Sequence, residues 1–304
     1  MKLGLVSAIL GELKFEDVVD FLSTNGLKSV EVACWPIGKA ERRYAGVTHI
    51  DVATLDSAKA DYYNGYLKDK NIEIAAMAYS PNPLTGDRAK REFYIAHIKK
   101  VIEGARMMRV KYMDTFIGKN NTIPIKDNME EFKKVWPDII KFAEDNGVIL
   151  SFENCPMYFS MDEWPGGTNL ASYPKIWREM FSIIDSRNFG ICYDPSHLAW
   201  QRMDYIKPVY EFKDKITNVH IKDAKFFADK YDDLGILATP LEYHQPKLPG
   251  LGDINWGKFV SALTDIRFKG SALIEVEDRA FDNTLEERKN GILISKNYMS
   301  QFII

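Results

Sequence analysis

Four short segments of this chain end an apolar run on a residue that could hold a cation. VILSFENCP stops on Glu153 and Asn154, GICYDPSH on Asp194 and His197, TNVHIKD on His220 and Lys222, and SALIEVED carries Glu275. Three carboxylates and an imidazole brought together would repel, and each would lose hydration worth several kcal/mol or so. A divalent cation answers both objections. Three oxygens and one nitrogen, with room for water or substrate oxygens, suit Mn²⁺, Mg²⁺ or Co²⁺ better than a closed structural zinc site, with Zn²⁺ a further candidate. Each group also has a bland reading. Glu153 could bond backbone amides, Asp194 cap a loop, His220 be a satisfied core histidine, and Glu275 pair with a lysine or arginine. One shared ion replaces four separate explanations.

For these residues to meet, the elements that carry them must end on one rim. Short β-branched runs at 2–6, 29–33, 72–76, 111–114, 148–152, 189–193, 217–221 and 272–276 read as eight strands. Amphipathic patterns at 15–24, 87–107, 129–146 and 256–266 read as helices between them, with a start at Asp127-Asn128 and an exit at Asn146-Gly147. Strands alternating with helices predict right-handed crossovers and a parallel sheet. Eight strands favour closure, so the expected fold is a single-domain (β/α)8 TIM barrel over residues 1–304. In such a barrel the C-terminal strand ends share one mouth. Residues 223–255 are too long for a plain βα loop and are expected to lie over that mouth.

Bulk properties narrow the partners. The chain has 304 residues, 46% hydrophobic and 27% charged, with 40 basic against 43 acidic residues. Nothing in that balance draws the surface toward nucleic acid or anionic lipid, so a small polar molecule is the expected partner. Cys34, Cys155 and Cys192 are odd in number and far apart, which suggests neither a disulfide framework nor a thiolate zinc site. The opening MKLGLVSAIL reads as a first strand rather than a signal peptide, and no long apolar run suggests a membrane span, so the expected location is the cytoplasm. No G-x-G-x-x-G follows the first strand and no G-x-x-x-x-G-K-[ST] occurs, which removes the usual supports of a nucleotide site.

At FEN (152–154), YDPSH (193–197), HIKD (220–223), PGLGDINW (249–256) and IEVED (274–278) the chain resembles the sugar isomerase and epimerase family of xylose isomerase-like TIM barrels, which includes ketose 3-epimerases and inosose dehydratases. The resemblance implies a metal held by Glu153, Asp194, His220 and Glu275, with Glu153 and Glu275 on opposite faces of the substrate carbon. It implies that His197 contacts a substrate oxygen and that Asn154 and Lys222 orient their neighbours. Dimers or tetramers are also implied. The long excursion at 223–255 departs from the more compact epimerases.

The physical logic agrees. A proton beside a carbonyl is a poor acid, and a cation shared by the carbonyl and the adjacent hydroxyl stabilises the enediolate left behind. Inverting a centre takes one group on each face, and unequal surroundings would leave one glutamate ionised and the other protonated. Trp35 reads either as a wall for a sugar ring or as loop packing. His244 reads as a lid residue or a solvated loop histidine, Arg279 as an anion contact or a surface salt bridge, and His97 as structural. The expected activity is isomerisation or epimerisation of a small sugar or keto-sugar, with dehydration of a keto-polyol as the alternative. An apurinic endonuclease-like barrel would need many more histidines than the five present. A non-catalytic sugar-binding barrel is the remaining rival.

Overall fold

The computed structural model describes residues 1–38, 44–157 and 167–303. Its strands in chain order are β1 (Lys2–Val6), β2 (Ser29–Ala33), β3 (Glu73–Ala78), β4 (Tyr112–Thr115), β5 (Ile149–Glu153), β6 (Phe189–Tyr193) and β7 (Ile216–Ile221), then two short strands, β8 (Asp223–Phe226) and β9 (His244–Lys247), and finally β10 (Ser271–Ile274). The barrel closes in the order β1-β10-β7-β6-β5-β4-β3-β2, and every neighbouring pair is parallel. β8 and β9 form a separate antiparallel hairpin. The chain is thus the single-domain TIM barrel that the alternation predicts, with the hairpin inside the long excursion.

Helices pack outside. In Phe15–Thr24 the buried positions Phe15, Val18, Val19 and Leu22 fall on one face at helical spacing. The helix expected at 129–146 runs over Ile125–Asp145. Its expected Asp127-Asn128 start is corrected, because Pro124 supplies the first position before the helix and Asn128 is already inside it. The Asn128 amide instead stitches the preceding loop, donating to the carbonyls of Asn120, Ile123 and Pro124 and accepting from the Asn120 N–H. The exit is where the sequence puts it, with Gly147 at φ +68°.

Strand residues alternate between the helices and the barrel axis. Outward side chains build the main core. Phe152 of β5, fully buried, lies 5.4 Å from the Phe189 ring, 5.7 Å from Phe181 and 6.4 Å from Trp177. Phe152→Ala should therefore cost about 3–5 kcal/mol, read as a lowered denaturant midpoint with an unchanged slope. The axis is different. Among the described residues a small apolar cluster of Val6, Ala75 and Leu273 with Ala8 beside it lies there, while Ser29, Glu31, Asp114, Ser151, Asn218 and His220 are buried polar residues on barrel strands. Polar groups at the axis must find partners there, and how they do so defines the site.

Candidate functional site

Alternation aims the predicted groups. On β7 and just beyond it, Asn218, His220 and Lys222 share the inward side, as Leu273, Glu275 and Glu277 do along β10 and past its end. Parallel register sets Glu153 beside Cys192, two residues before Asp194, and His220 beside Leu273. The result is convergence: one ligand atom from each of Glu153, Asp194, His220 and Glu275 lies within 4.8 Å of all the others. Glu153, Asp194 and His220 are buried, and the Glu275 side chain keeps 14% exposure.

These groups fit a divalent cation by their chemistry and by what they lack. Asp194 Oδ2 and His220 Nδ1 are buried without a hydrogen-bond partner. Three carboxylates and one imidazole make an oxygen-rich set with a single nitrogen, as the sequence suggested. Part of the balancing charge is already supplied by the chain. Lys222 Nζ lies 3.2 Å from Asp194 Oδ2, 2.9 Å from Glu275 Oε2 and 2.9 Å from Glu277 Oε2. A cation on Asp194 and Glu275 would share them with this ammonium, and Glu277 remains as its second anchor.

The two glutamates are held in unlike states. Burial works to raise the Glu153 carboxyl, but His220, His197 and Lys222 around it win and keep it well below the usual carboxylate range. Burial raises Glu275 to about 7 against the pull of Lys222, with the charges of Glu277 and Glu153 adding to the rise. His197 Nε2 stands 3.5 Å from Glu153 Oε1 and 3.2 Å from Asp194 Oδ2, so it caps the same cluster.

Above the cluster opens a cavity of about 350 Å³, and Glu153, His197, His220, Lys222 and Glu275 all line it. Trp35, His244 and Arg279 line it too, whereas Asn154 does not. Asn154 is spent on the backbone: its amide donates to the Asp194 carbonyl and accepts from the Asp194 N–H, clipping the end of β5 to that of β6. That places it one step behind the cluster. His244 is no solvated loop residue. It is buried, stacks on Trp200 with ring centroids 4.6 Å apart, and bonds the Pro240 carbonyl through Nδ1. His97 is structural as read, with Nε2 2.8 Å from the Cys34 carbonyl. Glu31, Asp114 and Glu277 escaped the sequence reading; each is a carboxylate in or just past an apolar strand, the same signal that picked out Glu275.

The excursion at 223–255 contributes Leu241, His244 and Pro246 to the cavity wall. Asp223 fastens it. Its Oδ1 accepts from the N–H groups of Ala224 and Ile254, and its Oδ2 from the Gly250 N–H and the Trp256 indole. The glycines of PGLGD follow from this: a Cβ on Gly252 would fall 2.3 Å from Asp223 Oδ1, and Gly250 has φ +86°. Asp223→Ala should cost about 3 kcal/mol through its lost charged hydrogen bonds. Hydrogen exchange should show faster amides at 224, 250 and 254, with the strands β1 to β6 unchanged.

Among the described residues no helix is long and apolar enough to cross a membrane. A family model described as xylose isomerase-like TIM barrel matches residues 19–298. Solved structures agree on the fold. The IolI protein with a bound zinc atom superposes with a TM-score of 0.73 at 17% identity, covering 100% of this chain and 99% of that one. The probable 3-DHS dehydratase AsbF of Bacillus anthracis gives 0.73 at 16% identity over 99% of each chain. D-psicose 3-epimerase crystallised with D-fructose gives 0.72 at 13% identity, covering 100% of this chain and 99% of that one. The chain belongs to the xylose isomerase-like TIM barrel family.

Proposed function

We propose that this member of the xylose isomerase-like TIM barrel family is a divalent-metal-dependent isomerase or epimerase of a small sugar or keto-sugar. The observation that carries the proposal is the pair Glu153 and Glu275, brought within 4.8 Å in one cluster at the floor of the cavity and held in opposite protonation tendencies. Glu153 and Glu275 with Asp194 and His220 would hold the metal, manganese foremost, which would favour negative charge on oxygens next to the reacting carbon. Glu153 takes the proton from that carbon, and Glu275, the more readily protonated of the two, returns one. His197 and Lys222 offer donors to substrate oxygens at the floor. Trp35 and Trp200 give apolar walls suited to the carbon face of a sugar. Names of similar structures support the same reading, since one is a ketose 3-epimerase and another holds a metal.

One observation favours a second reading, dehydration of a keto-polyol. Lys222 Nζ lies 2.9 Å from Glu275 and lines the cavity, so an ammonium stands where a departing hydroxyl could take a proton. Both reactions start by removing the proton beside the carbonyl.

A single experiment separates them. The protein, loaded with Mn²⁺, is incubated with a panel of ketoses and inososes in D₂O, and products are read by mass and NMR. An isomer carrying one deuterium at the carbon beside the carbonyl supports the proposal, and a product short of one water supports the second reading. Activity that persists unchanged after exhaustive chelation, with metal content verified, would sink the metal requirement.

A further inference from the structure

β2 reads SVEVA and is buried along its whole length, so its single carboxylate must be answered from inside the barrel. Glu31, 5% exposed, meets His220: Oε2 lies 2.8 Å from Nε2. A carboxylate can only accept, so the imidazole proton in this contact belongs to Nε2. Nδ1 is then the nitrogen left to ligate once a cation displaces its proton, and it faces Glu153 at 3.5 Å and Glu275 at 3.7 Å.

We infer that Glu31 is a positioning residue for the cation site: it fixes the tautomer and the ring plane of His220 so that Nδ1 is the ligand atom. The inference rests on the reading of the four rim groups as a cation site and adds a residue from a strand that supplies none of them. The surroundings hold Glu31 to this task. Asp114 of β4 is buried beside it, with Oδ1 lacking any partner and Oδ2 3.4 Å from the Asn218 amide nitrogen. Burial and the charge of Glu31 push the Asp114 carboxyl well above its usual range, so of the two neighbours Glu31 is the one whose carboxylate meets the His220 ring. A ring whose far nitrogen is bonded to a carboxylate is also a more basic ligand.

The closest competing assignment is that Glu31, Cys192 and His220 themselves form a three-ligand site, since their ligand atoms also lie within 4.8 Å of one another. The same ring nitrogen would then point at the ion, and Glu31 would be a ligand.

Two readouts on the full chain decide. ¹⁵N long-range NMR of the Zn²⁺-loaded protein should show His220 as the Nε2–H tautomer, ligating through Nδ1; in Glu31→Leu, and in Glu31→Gln if the leucine variant fails to fold, that preference should be lost. Co²⁺ titration followed by visible absorption should show affinity lower by about 10- to 100-fold in the folded variant, with Glu31→Asp recovering part of it. A folded variant that keeps both the tautomer and the wild-type Co²⁺ affinity overturns the inference. A thiolate-to-cobalt charge-transfer band that vanishes in Cys192→Ser overturns it in favour of the three-ligand site. Wild-type protein that binds no Co²⁺ removes the cation reading, while a downfield Nε2–H proton of His220 that disappears in the Glu31 variants still tests the contact itself.

Discussion

Glu153→Gln should lower kcat by about 10³-fold or more on whichever ketose proves to be the substrate, because it replaces a cavity-lining carboxylate held firmly ionised with an amide that cannot take a proton. Its side chain is nearly isosteric, so the fold should survive. Glu153 also belongs to the proposed ligand set, and metal content must be measured alongside. A variant that retains full metal and loses exchange of the substrate C–H with solvent identifies Glu153 as the base. A variant that loses metal and activity together assigns it chiefly to ligation. Wild-type turnover in the variant would contradict the proposed chemistry outright.

The second large effect concerns stability. Lys222 is the ammonium among Asp194, Glu275 and Glu277, and its side chain is 4% exposed. Lys222→Met leaves those carboxylates uncompensated, and removing one partner of a buried ion pair costs about 3–5 kcal/mol. That loss is expected in chelated protein at pH 8. It should shrink as pH falls, because Glu275, raised to about 7 even with Lys222 beside it and further without it, takes up a proton and the repulsion eases. Added Mn²⁺ should restore the melting temperature, because an ion bound only by the folded state stabilises it in proportion to its saturation. Thermal melts with chelator and with metal, at pH 8 and at lower pH, check this. A variant as stable as wild type with chelator at pH 8 would show that the cluster needs no internal cation.

The barrel and most of its rim were legible in the sequence because two periodicities coincide. Apolar runs at strand length fixed the eight strands to within a few residues, and polar residues at their ends marked the rim. Asn154 follows from the same alternation: with Glu153 pointing inward, its neighbour turns aside, onto the backbone of Asp194. Glu31 and Asp114 were passed over because only the last four barrel strands were compared, although a lone carboxylate within SVEVA or YMDT carries the same signal as Glu275 within SALIEVED. The hairpin of β8 and β9 had no such signal. HQPK has little strand character, and its pairing depends on the Asp223 anchor, which joins residues 27 to 33 positions apart.

The polar axis of the barrel has a practical meaning. Apolar cohesion here resides in the outer shell of aromatic and aliphatic side chains, whereas the column running down the middle is held by balanced charge and carries the reactivity. A protein arranged this way can have its reaction retuned through inner residues, provided each exchange keeps the charge balance of the column, while the surrounding scaffold stays as it is.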